Sequence, residues 1–233
     1  MFVDHAARRC SQVAIDGPVA SGKSTVARLL AERLGWKFFD TGALYRAVAY
    51  LALEAGENPS DERAVTELLS ITMPQVTADR RNGLHYSVSL AGRTLIRELF
   101  TPQVSQAVSA VAAMPQVRQR LIGTQRAFAQ DHDVVMAGRD IGSVVLPNAA
   151  FKFFLTAALE ARVDRRLRQL LSQGVDIQRG ALRHEIERRD ERDATRSASP
   201  LVRAPDAQEI DTSQLAVSQV VAKLSAIVLA SSR

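Results

Sequence analysis

The chain has 233 residues, with 30 lysines and arginines against 25 aspartates and glutamates and a formal net charge of +5. That length accommodates one well-buried core with an inserted subdomain. No apolar run approaches membrane-spanning length, and a single cysteine, Cys10, rules out an intrachain disulfide framework and fits a reducing, cytoplasmic setting.

Residues 1–11 carry Arg8 and Arg9 but no apolar h-region, so they read as a flexible tail and not a secretory signal. Residues 12–233 read as one domain. Gln12–Asp16 is a short, β-branched, apolar run that predicts a buried strand. Gly17-Pro18-Val19-Ala20-Ser21-Gly22-Lys23-Ser24 follows and reads G-x-x-x-x-G-K-S; after it Val26, Leu29, Leu30 and Leu34 recur at helical spacing. Strand, glycine motif and helix in that order define a P-loop. Its glycines let successive backbone N–H groups turn inward, and the helix N-terminus adds partial positive charge, so phosphates bind there. Lys23 reaches β- and γ-phosphates and the Ser24 hydroxyl can ligate Mg2+. The pattern predicts a nucleoside-triphosphate site.

Gly35 is a C-cap candidate, and Trp36–Asp40 predicts a second buried strand. A helix follows through Val48, Leu51, Ala52 and Ala55. Ser60 is the expected N-cap of the next helix, which carries Val65, Leu68 and Leu69. From Ile71 the pattern turns to short strands, 71–76 and 84–90, around Asp79-Arg80-Arg81-Asn82-Gly83, with a third strand near Arg93–Ile96. This antiparallel patch, about 70–98, reads as an insertion. Helix resumes at Pro102 and is interrupted by Pro115. Residues 133–137 and 151–155 predict core strands, the first followed at once by Gly138-Arg139-Asp140. Glu160 to Arg196 is charged and helical, with breaks expected at Gly174 and near Gly180. A polar fifth strand at 207–211 and an apolar-striped helix from Val217 complete the chain.

Strands alternating with helices predict an α/β, three-layer P-loop fold around a mostly parallel five-stranded sheet. Loops at the carboxyl ends of its strands should meet in one cleft. There is no Asn-Lys dipeptide for a guanine-reading N-K-x-D element, and 134–137 ends without a Walker-B acid, so a switch GTPase and a motor ATPase are disfavoured. Arginine-bearing loops around a phosphate site suit phosphoryl transfer to a small phosphorylated acceptor, where charge neutralisation dominates. Two alternatives stand beside this: a kinase for another small acceptor such as shikimate, and a nucleic-acid-binding ATPase. The second is disfavoured because the arginines interleave with acids and no aromatic stripe accompanies them.

Four runs carry a resemblance: Asp16–Ser24, Asp40-Thr41-Gly42-Ala43-Leu44-Tyr45-Arg46, Gly138-Arg139-Asp140-Ile141-Gly142 and Arg189-Asp190-Glu191-Arg192-Asp193-Ala194-Thr195-Arg196. Their order resembles the bacterial cytidylate kinase family from Gln12 to the C-terminal helix. The resemblance implies ATP as donor, Mg2+, and CMP or dCMP as acceptor, in a monomer with no nucleic-acid or membrane partner. It implies that Gly17, Pro18, Val19, Ala20, Ser21, Gly22, Lys23, Ser24 and Thr25 hold the ATP phosphates, Ser24 also holding the metal. Arg162 and Arg166, with Arg165, match a helical lid over ATP, about 160–185. Thr41, Tyr45 and Arg46 fall beside the acceptor, with Arg46 on its monophosphate. Ser109, Arg118 and Asp140 fall where the family reads cytosine, and Arg139 where it binds acceptor phosphate. Arg189, Asp193 and Arg196 match positions around the sugar and base. Lys23, Arg46, Arg139 and Arg189 are the implied catalytic set. Cytosine presents one amine donor with ring acceptors, which a carboxylate, a hydroxyl and a guanidinium together can read. Excluding water from the transfer predicts that insertion and lid both move inward on substrates. One departure stands out: the family commonly has an acid before Gly-Arg-Asp, where this chain has Ala137, leaving Asp16 or Asp40 as substitutes.

Overall fold

The computed structural model describes residues 10–79 and 85–230. Most of the tail, residues 1–9, and the Asn82-Gly83 turn lie outside the described residues. Five strands, β1 (Gln12–Asp16), β2 (Lys37–Asp40), β6 (Val134–Ala137), β7 (Phe151–Thr156) and β8 (Gln208–Asp211), form one sheet in the order β2-β6-β1-β7-β8. Every pairing in it is parallel, with Ile15 opposite Ala137 on one side and Phe153 on the other. β6 is buried along its whole length and β1 at all but its first residue, as expected for a parallel sheet covered on both faces. The polar β8 is an edge strand with only Ile210 buried, which explains its weak apolar pattern.

Helix α1 (Lys23–Leu34) packs on β2, β6 and the last helix, α8 (Val217–Ala230). Gly35 ends α1 at φ 73° and returns its N–H to Ala31 and Glu32, the glycine C-cap read from the sequence. α2 (Gly42–Glu54) follows β2 directly. α3 (Glu62–Ile71) is capped by Asp61, whose carboxylate accepts from Arg63 and Ala64 N–H. Asp61, not Ser60, is the N-cap, because it alone reaches the two free N–H groups. Ile71 belongs to the end of α3 and is 85% exposed, so the strand expected from Ile71 begins later, as β3 (Gln75–Ala78). β3, β4 (Tyr86–Leu90) and β5 (Arg93–Leu95) make the expected antiparallel sheet. Tyr86 joins it to the main core, its ring 5.8 Å from Phe38 and 5.0 Å from Phe39.

α4 (Pro102–Val111) and α5 (Pro115–Gln130) each carry proline in the first turn, where its missing N–H is harmless. After β6 comes an unforeseen five-residue π-helical turn, Ile141–Val145. α6 (Leu159–Ser172) and α7 (Arg179–Thr195) form the charged pair. The break between them contains Gly174, while Gly180 sits inside the first turn of α7.

Candidate active site

With all five strands parallel, the segments after β1, β2, β6, β7 and β8 meet at one edge. They line a single cleft of about 1790 Å3. That is larger than a one-ligand pocket and has room for two nucleotides.

One wall is the phosphate loop. Gly17 has φ 146°, and a Cβ there would lie 2.1 Å from the Leu155 carbonyl oxygen, so only glycine lets the loop leave β1 against β7. Lys23 folds back within the loop, Nζ donating to Pro18 O at 2.6 Å and Ser21 Oγ at 3.4 Å. Burial, and then the Arg139 guanidinium, push the Lys23 ammonium well below its ordinary range. The Ser24 hydroxyl donates to Asp40 Oδ2 at 2.5 Å, while Asp40 Oδ1 accepts from Gly42 N–H at 3.0 Å.

The rest of the cleft carries the residues that the sequence reading expects beside the acceptor. Arg46 Nη1 donates to Leu99 O at 3.1 Å and Ser105 Oγ at 3.0 Å, with its guanidinium 5.5 Å over the Phe100 ring. Arg139 Nε donates to Asp193 Oδ2 at 2.7 Å. Burial alone would raise the Asp193 carboxyl, but Arg139 beside it holds it below the usual carboxylate range. Arg118 pairs with Asp140 in a short, buried contact, donates to Ala112 O at 2.9 Å and lies 5.2 Å over the Tyr45 ring. Arg196 donates to Ser199 O at 2.6 Å. Arg118 Nε, Arg189 Nε and Arg196 Nη2 are buried without a hydrogen-bond partner. Burial, and then Arg139, pull Arg189 down to about 10, so these cations repel one another. Unmatched buried donors and mutually repelling cations in one cleft are what an anionic ligand relieves.

Val19 to Thr25, Thr41, Tyr45, Arg46, Ser109, Arg118, Arg139, Asp140, Arg166, Arg189, Asp193 and Arg196 all line this cleft. Thr41 spends its hydroxyl on Ala137 O at 3.1 Å, tying two loops together. Two sequence expectations differ from the geometry. Gly17 and Pro18 open the phosphate loop but are not among the residues that line the cleft. Arg162, expected over ATP, is a buried brace: it pairs with Asp190 and donates to Ala157 O at 3.0 Å and Val19 O at 3.3 Å. A guanidinium so engaged has little left for a ligand. Arg165 does line the cleft, and it also donates to the Thr212 hydroxyl at 3.0 Å.

Sequence reading offers Asp40 only as a substitute acid and does not single out Asp190, the Phe100–Ser105 bracket on Arg46 or the 212–217 loop. Asp40 and 212–217 stand directly after strands, so the carboxyl-end rule marks them. Asp190 and Phe100 have no local signal.

The Cytidylate kinase family model matches residues 13–229. A cytidylate kinase of Pelotomaculum thermopropionicum is 46% identical over 221 residues, covering 95% of this chain and 97% of that one. A cytidylate kinase of Thermotoga neapolitana is 43% identical, covering 91% and 94%. A solved structure of an uncharacterized protein from Eubacterium ventriosum matches with a TM-score of 0.50 at 12% identity, covering 96% and 99%, a likeness of fold alone. The chain belongs to the cytidylate kinase family.

Proposed function

We propose that the protein is a (d)CMP kinase, transferring the γ-phosphoryl group of ATP to CMP or dCMP to give ADP and CDP or dCDP. The observation that carries this reading is the single cleft with a phosphate loop on one wall and unsatisfied arginine donors on the other, in a chain of this family. An acceptor-phosphate oxygen attacks the γ-phosphorus as the bond to the β–γ bridging oxygen breaks, and ADP leaves with that oxygen. The attacking oxygen is already ionised, so no general base is required, and positioning and electrostatics supply the catalysis.

In this reading the loop N–H groups and Lys23 hold the donor phosphates. Lys23 gives up Pro18 O to do so. Arg46, Arg139 and Arg189 gather around the acceptor phosphate and the transferring group, and Ser109, Arg118 and Asp140 read the base. Tyr45 packs beneath Arg118; Asp193 and Arg196 border the sugar. Arg166 faces ATP from the lid, whose span we keep at about 160–185, with the acceptor-side insertion at about 70–98. Ser24 and Asp40 offer adjacent hard oxygens on the cleft side of the loop, a donor set that fits Mg2+ with substrate oxygens and waters. Bound there, the ion would neutralise charge on the β- and γ-oxygens. Asp40 is thus the acid we assign in place of the one missing at Ala137. We further propose a cytoplasmic monomer, which sedimentation at micromolar concentration checks.

The test is ADP release with Mg·ATP and each of CMP, dCMP, UMP, AMP, GMP and dTMP. Turnover with CMP and dCMP well above the rest is expected. Equal activity on purine acceptors would discard the base-reading assignment, and no turnover with ATP binding intact would discard the kinase.

A further inference from the structure

Asp16 is the last residue of β1, directly before the phosphate loop, and is 4% exposed. Its two carboxylate oxygens are divided between two backbone donors 125 and 126 residues away: Oδ1 accepts from Ile141 N–H at 2.8 Å and Oδ2 from Gly142 N–H at 2.7 Å. Those N–H groups open the π-helical turn that follows Asp140. π-helical turns are uncommon and recur at functional sites. Within this one, Val144 and Val145 N–H return to Asp140 O at 2.9 and 3.1 Å, so the turn fixes the backbone of Asp140 itself. Asp140 in turn pairs with Arg118.

We propose that Asp16 is a positioning residue for the acceptor: its carboxylate clamps the turn after Asp140 and so sets the distance between the phosphate loop and the residues that read the base. The proposal rests on the (d)CMP kinase reading. Each end of the clamp is covalently adjacent to a working part: Gly17 follows Asp16, and Ile141 follows Asp140. The phosphate loop, Arg139 and Asp140 therefore move as one unit.

A buried carboxylate is a costly way to satisfy two N–H groups. Burial pushes Asp16 up to about 6, while the Gly142 and Ile141 N–H groups work the other way, the Asp140 charge adds to the rise and the Lys23 charge opposes it. A group raised in this way weakens the fold as pH rises from its unfolded value near 4 through 6. Its retention in that place favours geometry over stability. A shift of the Asp140 carboxylate by a fraction of an ångström is enough to cost base discrimination, since catalytic constellations tolerate little misplacement.

Asp16→Asn keeps the size, loses one acceptor and turns an amide donor toward a backbone N–H. In the full-length enzyme it is expected to raise the CMP KM about tenfold and to lower the CMP-over-UMP ratio of kcat/KM at least about fivefold. Mg·ADP affinity, measured by calorimetry, should stay within about twofold, and the melting temperature at pH 7.5 should not fall. A drop in melting temperature with the CMP KM and the CMP/UMP ratio unchanged would overturn the proposal and make Asp16 purely structural. Should Asp16→Asn fail to fold, Gly142→Ala decides. Its Cβ would stand in ordinary contact with Asp16 Oδ2 at 3.4 Å and more tightly against Lys152 Cδ at 3.2 Å, so it crowds the turn at the clamped residue with the charge in place. A smaller change in the same direction supports the proposal, and an unchanged CMP/UMP ratio overturns it. Wild-type enzyme run alongside separates the two readings: if it does not use CMP, the kinase assignment fails first.

Discussion

The helix pair α6–α7 lines the cleft and the small sheet β3-β4-β5 does not, and the two are attached in opposite ways. Tyr86, Val88, Leu90 and Leu95 of the sheet are buried in the same apolar core as β1 and β6. The helix pair has a core of its own, Val163, Leu182 and Ile186, with Val19 of the phosphate loop among its partly buried neighbours. Beyond that apolar contact, the Arg162–Asp190 pair ties it to the loop, Asp190 also accepting from Val19 N–H at 3.3 Å. Arg139 to Asp193 gives a second tie, at the far end of α7, and Arg165 to Thr212 a third. A segment with few buried apolar contacts opens locally at low cost, whereas one sharing the main core opens only with the whole domain. Packing makes α6–α7 the more loosely attached of the two, and inward movement of both regions on substrates stays our proposal.

The largest expected effect falls where the helix pair meets the cleft floor. Arg139→Ala removes a donor that we propose binds the acceptor and frees Asp193, and kcat should fall about 10²- to 10³-fold, with a raised CMP KM in the coupled assay. Kinetics like wild type would break the assignment of both the residue and the tie. Next comes Tyr86→Ala, which empties a core site between Phe38 and Phe39 and should cost about 3–5 kcal/mol of global stability, read by urea unfolding. Leu182→Ala tests the other half of the comparison. Hydrogen exchange should accelerate across 159–195 while the central sheet keeps its protection; a global loss equal to that of Tyr86→Ala would mean that the helix pair is not a separate unit.

Asp190→Asn leaves Arg162 without its charge partner. The ATP KM should rise about tenfold, the scale of one charge-assisted hydrogen bond worth about 1.5 kcal/mol, with CMP KM nearly unmoved. Equal changes in both constants would show that the phosphate loop does not depend on this tie. The smallest effect concerns an exposed ion pair at the cleft margin, where Glu160 pairs with Arg179 at 2.6 Å and Arg183 at 3.0 Å. Surface pairs of this kind contribute little, so Glu160→Gln should change the ATP KM by less than about twofold. Arg179 and Arg183 hold the Glu160 carboxyl below its usual range, so its contribution is present at neutral pH. It is lost as pH falls through that lowered value, where variant and wild type should converge.

Much of this architecture is legible because its causes are local. Glycine at 17, 22 and 35, proline at 102 and 115 and the alternation of strands with helices act through neighbours in the chain. These features carried the sheet, the phosphate loop and the cleft edge. Errors at Ser60 and Ile71 are of one or a few residues, where adjacent side chains compete for the same cap or face. Arg162 and Arg166 look alike in sequence as arginines on one charged helix; in the structure Arg162 faces Asp190 and Val19 while Arg166 lines the cleft.

The sequence by itself determined the fold class, the phosphate loop and the family, since each depends on residue types at short, fixed spacings. Tertiary structure alone decided which arginines keep free donors for a ligand and which are consumed as braces. It alone brought Asp16 to Ile141, Asp40 to Ser24 and Asp190 to Val19. A hydrogen bond forms wherever donor and acceptor come within about 3 Å, and for partners up to 171 residues apart only the packed sheet sets that distance.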